Sequence, residues 1–282
     1  MKKGCLLCWL LCLLCFMLSP GAEAEDIQFD TPITMTVNKT LIHMDTRPFL
    51  YEGTTFVPIR FVSEALGAES VIWDSSSDSA IIAHKGTEIV LPAGKDVGYI
   101  NGQKVTIDHG VILANDRLFV PVRFVSEALQ CQVDWIYETY TVDIQKEGIT
   151  VPEELVGYRS YTDDEIYWLS KIIHAESQGE PMAGKIAVGN VILNRVASRD
   201  YPNTIYGVIF DRNHGVQFSP VLDGSIYQKP LGDSIIAAKH ALEGKQLVSN
   251  CLFFFNPKTA QSQWIANNRT YYTTIRNHDF YL

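Results

Sequence analysis

The chain has 282 residues and a formal net charge of −9, with 46% hydrophobic and 20% charged residues. An acidic chain of this kind is a poor partner for nucleic acid, and for bulk attraction to anionic wall polymers or lipid headgroups. Any hold on a polymer must then come from hydrogen bonds and stacking in a cleft, and the length suits two domains better than one.

Residues 1–24 read as a signal peptide. Lys2 and Lys3 form a short basic start, Cys5 to Leu18 is an almost wholly apolar run, and Ala22-Glu23-Ala24 is a small-residue cleavage site. The run is short for a membrane span, so the expectation is export with cleavage after Ala24 rather than stable membrane insertion. A lipoprotein anchor is the weaker reading, because none of Cys5, Cys8, Cys12 or Cys15 stands in a lipobox-like setting. Cys131 and Cys251 then remain. Two distant cysteines are neither a disulfide framework nor a cysteine-rich metal site, and two buried free thiols are expected.

An internal repeat follows. Phe-Val-Pro-(Ile/Val)-Arg-Phe-Val-Ser-Glu-Ala-Leu stands at 56–66 and again 63 positions later at 119–129, identical at ten of eleven positions. The register then slips by one, so that Trp73 matches Trp135. Each copy reads as strands, one helix, then strands, which makes this part α+β and rich in β. Pro58 and Pro121 sit where a helix starts. Val62, Ala65 and Leu66 give that helix an apolar side, and Gly67 caps its end. Ile72-Trp73, Ala80-Ile81-Ile82 and Glu88-Ile89-Val90-Leu91 read as short strands between turn residues. Arg60 with Glu64, and Arg123 with Glu127, are i,i+4 pairs that brace a helix. The polar stretch Gly148 to Ser160 breaks the pattern and reads as a linker, here bounded at 147–160.

The next helix has a legible start. Thr162 with Glu165 three residues on is a capping box, so the helix begins near Asp163. Ile166, Leu169, Ile172 and Ile173 recur at helical spacing and form one apolar face. At about 100° per residue, Glu176 falls on that face, while His174 points to the opposite side. A carboxylate on an apolar face is costly, and the last turn of a helix is the negative end of its dipole. Both effects favour the protonated carboxyl, which is what a general acid requires. Gly179-Glu180-Pro181 breaks the chain, and a second helix is expected over about 182–197, apolar nearly all round and therefore buried. Asn190 and Asn194 make a polar i,i+4 stripe on it, either lining a cleft or satisfying buried backbone. Pro202 to Phe210 reads as a short capped helix, Gln217-Phe218-Ser219-Pro220 as a loop, and Asp233 as the cap of a helix running to about Glu243. Leu252 to Phe255 reads as a strand, and the aromatic tail Tyr271 to Tyr281 as β with a turn at Asn277-His278.

Two resemblances rest on these motifs. The doubled F-V-P-x-R-F-V-S-E-A-L with a following Trp resembles the copper amine oxidase N-terminal domain, over 35–146. The resemblance carries no copper site and no oxidase chemistry, and implies an accessory module. The second covers 161–282. It rests on His174-Ala175-Glu176 to Pro181, Ile192-Leu193-Asn194-Arg195-Val196, Pro202-Asn203-Thr204-Ile205, Gly207-Val208-Ile209, Gln217-Phe218-Ser219-Pro220, Phe255-Asn256-Pro257, Trp264-Ile265, and Asn277-His278 with Phe280-Tyr281. In this order they resemble the SleB-type cell wall hydrolases, the catalytic domain of spore cortex-lytic enzymes. The resemblance implies a lysozyme-like α+β fold, cleavage of peptidoglycan glycan strands, and Glu176 as the catalytic acid. Asn194, Gln217, Phe218, Asn277 and His278 are the candidate substrate-binding residues. Two departures stand out: Arg276 where the family usually has Gly, and Ser177-Gln178 in place of Ala-Arg.

Other chemistries lack their residues. His174-x-Glu176 matches half of the zinc deaminase signature, but no P-C-x-x-C follows and no H-E-x-x-H occurs. His174, His214, His240 and His278 are scattered, so neither a metal nor a cofactor is expected. Ser219 precedes a proline and stands in no G-x-S-x-G elbow. Hydrolysis with inversion needs a second carboxylate about 6.5–9.5 Å away, with Glu180, Asp211 and Asp223 as candidates. Lytic transglycosylation needs one carboxyl group, and the family resemblance favours it. A hydrolytic muramidase and a non-catalytic wall-binding protein are the alternatives. The expected site of action is outside the cell, in wall or spore cortex.

Overall fold

In the computed structural model, residues 30–213, 215–260 and 262–282 are described. The expected signal peptide, residues 1–24, and His214 lie outside the described residues.

The repeat pairs with itself. Strands Thr54–Pro58 and Arg117–Pro121 run antiparallel, with Phe56 opposite Pro121, Val57 opposite Val120 and Pro58 opposite Phe119. Matching positions of the two copies are thus exchanged about a local twofold axis beside Val57 and Val120. Phe49–Tyr51 and Ile112–Ala114 extend this sheet at its two edges. Pro58 and Pro121 each end a strand and lead into a seven-residue helix, Ile59–Ala65 and Val122–Ala128. Proline suits that junction because it fixes φ and donates no hydrogen bond. Val62 and Val125 then turn into the core.

A five-stranded antiparallel sheet runs from Ser70–Asp74 through Ser79–His84, Thr87–Pro92 and Val97–Ile100 to Gln103–Thr106. A four-stranded sheet closes the unit: Thr34–Val37 lies parallel to Thr141–Gln145 at the unit's other end. The stretch 147–160, read as a linker, is laid along this unit. Leu155 is buried in its core, Ile149 and Val151 pack against it, and Val156 bridges to Ile42.

The remainder is helical with one small sheet, so the α+β expectation holds for both parts. The capping box is present: Glu165 N donates to Thr162 Oγ1, and Thr162 N donates to Glu165 Oε2. It starts the helix Asp163–Ser177, which packs with Met182–Ala197 and Gly232–Leu242. Gly189 lies where they converge, and a Cβ there would sit 3.0 Å from Ile173 Cδ1 and 3.2 Å from Ala241 Cβ. The helix expected to be capped by Asp233 begins two residues earlier, at Gly232, with Leu231 in the cap position and no side-chain cap. Asp233 stands in its first turn and pairs with Lys185 at 3.2 Å instead. Strands Phe253–Phe255, His278–Tyr281 and Tyr271–Ile275 form an antiparallel sheet with His278–Tyr281 in the middle. Among the described residues no helix is long and apolar enough to cross a membrane.

The two units are bolted together by Lys239. This side chain is fully buried, and its Nζ donates to Thr34 Oγ1 at 2.7 Å, Thr139 O at 2.9 Å and Tyr140 O at 3.1 Å. Burial pulls its ammonium down to about 7, and the charge of Glu243 only partly opposes the fall. Beside it, Glu243 accepts from Tyr161 Oη at 2.9 Å and from Arg47 Nη1 at 2.6 Å. Tyr140 Oη approaches so close to Gly232 that any Cβ there would overlap it.

Candidate active site

The acid-bearing helix ends at Ser177, which places Glu176 one residue from its end. The side chain opens into a cavity of about 760 Å³ built from five further elements. Helix Met182–Ala197 supplies Arg195 from its last turn, and the loop before Pro220 supplies Gln217, Phe218 and Ser219. Strand Phe253–Phe255 forms one wall, Trp264 and Ile265 open the helix Trp264–Asn268, and His278 opens the central strand. Among the described residues, Glu176 is the only carboxyl group lining this cavity.

Burial raises the Glu176 carboxyl from 4.5 to about 7. The negative charge of Asp223 adds to the rise, and Arg195 opposes it. Arg195 is itself buried. Its Nε donates to Leu252 O at 2.7 Å, and its guanidinium lies over the rings of Tyr201, Phe218 and Phe253 at 5.0–5.7 Å from their centres. Its Nη1 has no hydrogen-bond partner among the described residues. A fixed positive charge below the acid limits the rise in its pKa and gives its carboxylate form a counter-charge. His278 is buried among Phe254 and Phe280, its Nδ1 also lacks a partner among the described residues, and burial lowers its pKa against the charges of Glu180 and Asp279. It offers the cavity a polar ring.

The structure brings Glu176, Gln217, Phe218 and His278 together and leaves two candidates out. Asn194 Nδ2 donates to Val248 O and Cys251 O, both at 3.0 Å, while Oδ1 accepts from Gln246 Nε2. Asn190 bonds Lys245 O and Leu247 N in the same way. The asparagine stripe therefore pins the loop 245–251, satisfying buried backbone, and does not line the cleft. Asn277 is turned away too: its Nδ2 donates to Glu180 Oε1 at 2.8 Å and its backbone N–H points at Oε2 at 3.4 Å. That bond anchors the hairpin turn beneath His278 and explains why Glu180, buried and engaged, is no second carboxylate of the cavity. Asp223 is exposed and receives Ser225 N at 2.8 Å. Asp211 is buried, receives Asn213 N at 2.9 Å, and is not in the cavity lining.

His174 does lie on the far side of its helix from Glu176. That side is not open, for His174 is buried near Leu231 and Ser234 of the third long helix. Of the aromatic residues of this unit, Phe218, Phe253, Phe254, Phe255 and Trp264 line the cavity, whereas Tyr271, Tyr272 and Tyr281 do not. Sequence reasoning passed over Arg195. Its signal was a lone arginine in the last turn of a helix that is otherwise apolar nearly all round. Cys131 and Cys251 are both buried free thiols. Among the described residues no three His, Cys, Asp or Glu side chains cluster at metal-binding distance.

Fold and site together define a two-unit α+β protein with one solvent-poor carboxyl acid at a helix end, facing an open, aromatic-walled cavity. Comparison with known proteins gives the family. The chain belongs to the cell wall hydrolase family, whose model matches residues 179–281, while residues 36–144 match the model of the copper amine oxidase N-terminal domain. A cell wall hydrolase, CwlJ, of Oceanobacillus iheyensis is 31% identical over 111 residues, 37% of this chain and 77% of that protein. A spore cortex-lytic enzyme of Bacillus cereus is 40% identical over 121 residues, 43% of this chain. The chain spans only 43% of that relative's length. A solved structure titled as the catalytic domain of the germination-specific lytic transglycosylase SleB from Bacillus anthracis is 38% identical and fully covered by 45% of this chain, with a TM-score of 0.41. The family model's match begins three residues after Glu176, so the acid's standing rests on its geometry.

Proposed function

We propose that this protein is an exported enzyme that cleaves the glycan strands of peptidoglycan, in spore cortex or wall, as a lytic transglycosylase with Glu176 as its acid. In this reading residues 161–282 are the catalytic unit and 35–146 an accessory module. The observation that carries it is the lone cavity carboxyl held protonated up to about 7. The similarity to spore cortex-lytic enzymes supports the substrate class.

Protonated Glu176 donates to the bridging oxygen between N-acetylmuramic acid and N-acetylglucosamine. The bond from that oxygen to the muramic ring carbon breaks, and positive charge develops on the muramic ring. The Glu176 carboxylate, steadied by the charge of Arg195, then takes the proton of that ring's own 6-hydroxyl, whose oxygen closes onto the ring carbon. The acid returns protonated and no water is consumed. One carboxyl group suffices, because the nucleophile is held within the substrate at a high effective concentration. Gln217, Phe218 and His278 are the residues that hold the sugar.

Digestion of purified peptidoglycan tests this. The expected new ends are 1,6-anhydromuramic: not reducible by borohydride, lighter than hydrolytic ends by one water, and free of label after digestion in heavy-oxygen water. Reducible, labelled muramic ends would make the enzyme a hydrolytic muramidase and overturn the single-carboxyl mechanism.

A further inference from the structure

The local twofold that pairs Val57 with Val120 places two grooves in the first unit. One, of about 490 Å³, has walls from Arg60, Phe61 and Trp73. The other, of about 440 Å³, has walls from Arg123, Phe124 and Trp135. These are the same residues of the two repeats, so the groove has been built twice from one pattern. Both fall in the size range of ligand pockets.

Phe61 and Phe124 pack against the core, but the duplicated arginines and tryptophans are not explained by it. Trp73 is 44% exposed and Trp135 40%, in a unit that buries its phenylalanines Phe49, Phe56 and Phe119 completely. An indole is a large apolar plate, ordinarily covered. Arg60 and Arg123 reach Glu64 and Glu127 only loosely, at 3.7 and 3.9 Å, and their side chains are 60% and 67% exposed. Such pairs contribute little to the helix and leave the guanidinium free to turn.

We propose that the first unit carries two twofold-related glycan-binding grooves, one centred on Trp73 and the other on Trp135. The apolar C–H face of a sugar ring lies on the bare indole, and its hydroxyl and amide groups meet the arginine and the neighbouring carboxylates. Those carboxylates are Asp45 and Asp116 in the first groove and Asp108 and Asp134 in the second. Donors and acceptors of both signs suit a neutral polar ligand; a polyanion would face these acids and a chain of net charge −9.

Two equivalent grooves in one chain suit a ligand that repeats. The second groove also adjoins the junction between the units, since Trp135 packs edge-on against Tyr140, 5.1 Å between ring centres, and Tyr140 abuts Gly232. A strand held there is held beside the second unit. That the sugars are the N-acetylated ones of peptidoglycan rests on the function proposed above; the grooves themselves do not.

The test uses the full chain carrying Glu176→Gln, so that strands are bound and not cut, and measures its co-sedimentation with purified sacculi. Trp73→Ala or Trp135→Ala should each weaken binding about tenfold, and the pair together by about 10²-fold, because linked sites multiply. Strands of N-acetylglucosamine, which carry neither peptide nor charge, should compete with whole sacculi. Unchanged binding by the double variant overturns the proposal, and so does failure of these neutral strands to compete, which would make the peptide the occupant. If the double tryptophan variant loses its melting transition, Arg60→Ala with Arg123→Ala gives the same readout from two exposed positions. Cleavage by the unsubstituted chain is scored apart. A chain that binds through both tryptophans yet releases no product sinks the enzyme reading and leaves the grooves standing.

Discussion

Carboxylates in the two units meet opposite fates. In the first unit Asp45 is held below the usual range by its hydrogen bond from Arg117, and Asp74 by hydroxyls of Ser77 and Ser76. Both are in contact with water, and both have donors fixed on them. In the second unit Glu176 has no hydrogen bond from the described residues that would favour its charge, is half-buried in the cavity wall, and rises to about 7. Residue type is nearly the same; solvent and donors decide. The donors on Asp45 and Asp74 favour their charged forms, while Glu176 can give up a proton near neutrality.

The largest test of that contrast is Glu176→Gln. The amide keeps the shape and cannot donate a proton, so the rate on peptidoglycan should fall by about 10²–10⁴ while the fold persists. Retention of more than about a tenth of the parent rate in a turbidity assay would contradict the role of general acid, given that contribution. The same substitution has a stability signature. Because the folded pKa is raised, the parent's stability is fully present below the unfolded value near 4.5 and declines as pH climbs through about 7. Melting temperatures of parent and Glu176→Gln should therefore part company between about pH 4.5 and 7 and stay apart above that, the variant melting higher. Parallel melting curves from pH 5 to 8 would show that Glu176 ionises freely.

The second effect in size concerns the junction. Lys239→Ala strips a donor from three oxygens and should cost about 1–3 kcal/mol for each acceptor that stays dry. The sign of its pH dependence is the reverse of that for Glu176. A lysine lowered from 10.5 to about 7 leaves the unfolded chain binding the extra proton, so the parent gains stability as pH rises across that window. The loss on Lys239→Ala should be larger at pH 9 than at pH 6, by differential scanning calorimetry. Gly232→Ala probes the same seam by sterics and should free the units to move, read as faster hydrogen exchange at Thr139 and Tyr140.

Rate–pH profiles carry a finer effect. The rate should fall about tenfold per pH unit above the Glu176 pKa as the acid loses its proton. Asp223→Asn removes a charge that raises that pKa, and Arg195→Gln removes one that lowers it. The falling limb should move to lower pH in the first and to higher pH in the second, the Asp223 shift shrinking with added salt because that residue is exposed. Limbs moving together would mean that neither charge acts on Glu176. Smallest of all is Arg276→Gly. Arg276 holds φ near +50° in the hairpin turn, where the family's usual glycine is free of strain. The change should add about 0.5–1 kcal/mol to stability in a denaturant titration.

Much of this was legible in the chain because its signals are local. Thr162 and Glu165 announced a helix start that both of their hydrogen bonds now make, and the apolar spacing carried Glu176 to a half-buried place in the cavity wall. Thr204 was read as part of a capped turn, and it accepts Gly207 N at 3.0 Å. The failures are all partners distant in sequence. Asn194 looked like a cleft residue until carbonyls more than fifty positions away claimed its amide. Asn277 was given to the substrate, but it serves Glu180, 97 positions earlier. Lys239 gave no sign in a helix of ordinary composition, because its three acceptors belong to the other unit. Asp233 misled in the opposite way: it has the residue type of a cap, but Lys185 from another helix holds it.

The parallel pairing of Thr34–Val37 with Thr141–Gln145 has a consequence in time. Thr36 Oγ1 reaches Asp143 Oδ1 across 107 residues of sequence, so this ladder is the last that a growing or refolding chain can zip, and contacts so distant form slowly. Thr34, Thr139 and Tyr140, the acceptors of Lys239, sit on that same late seam. The receptor for the ammonium therefore does not exist until the first unit has closed, and assembly is ordered: the repeat finishes first and the helical unit locks on last. In a refolding experiment, Lys239 should become protected only after the ladder at Val142 and Ile144 has formed; protection of both in one kinetic step would show that the units fold together.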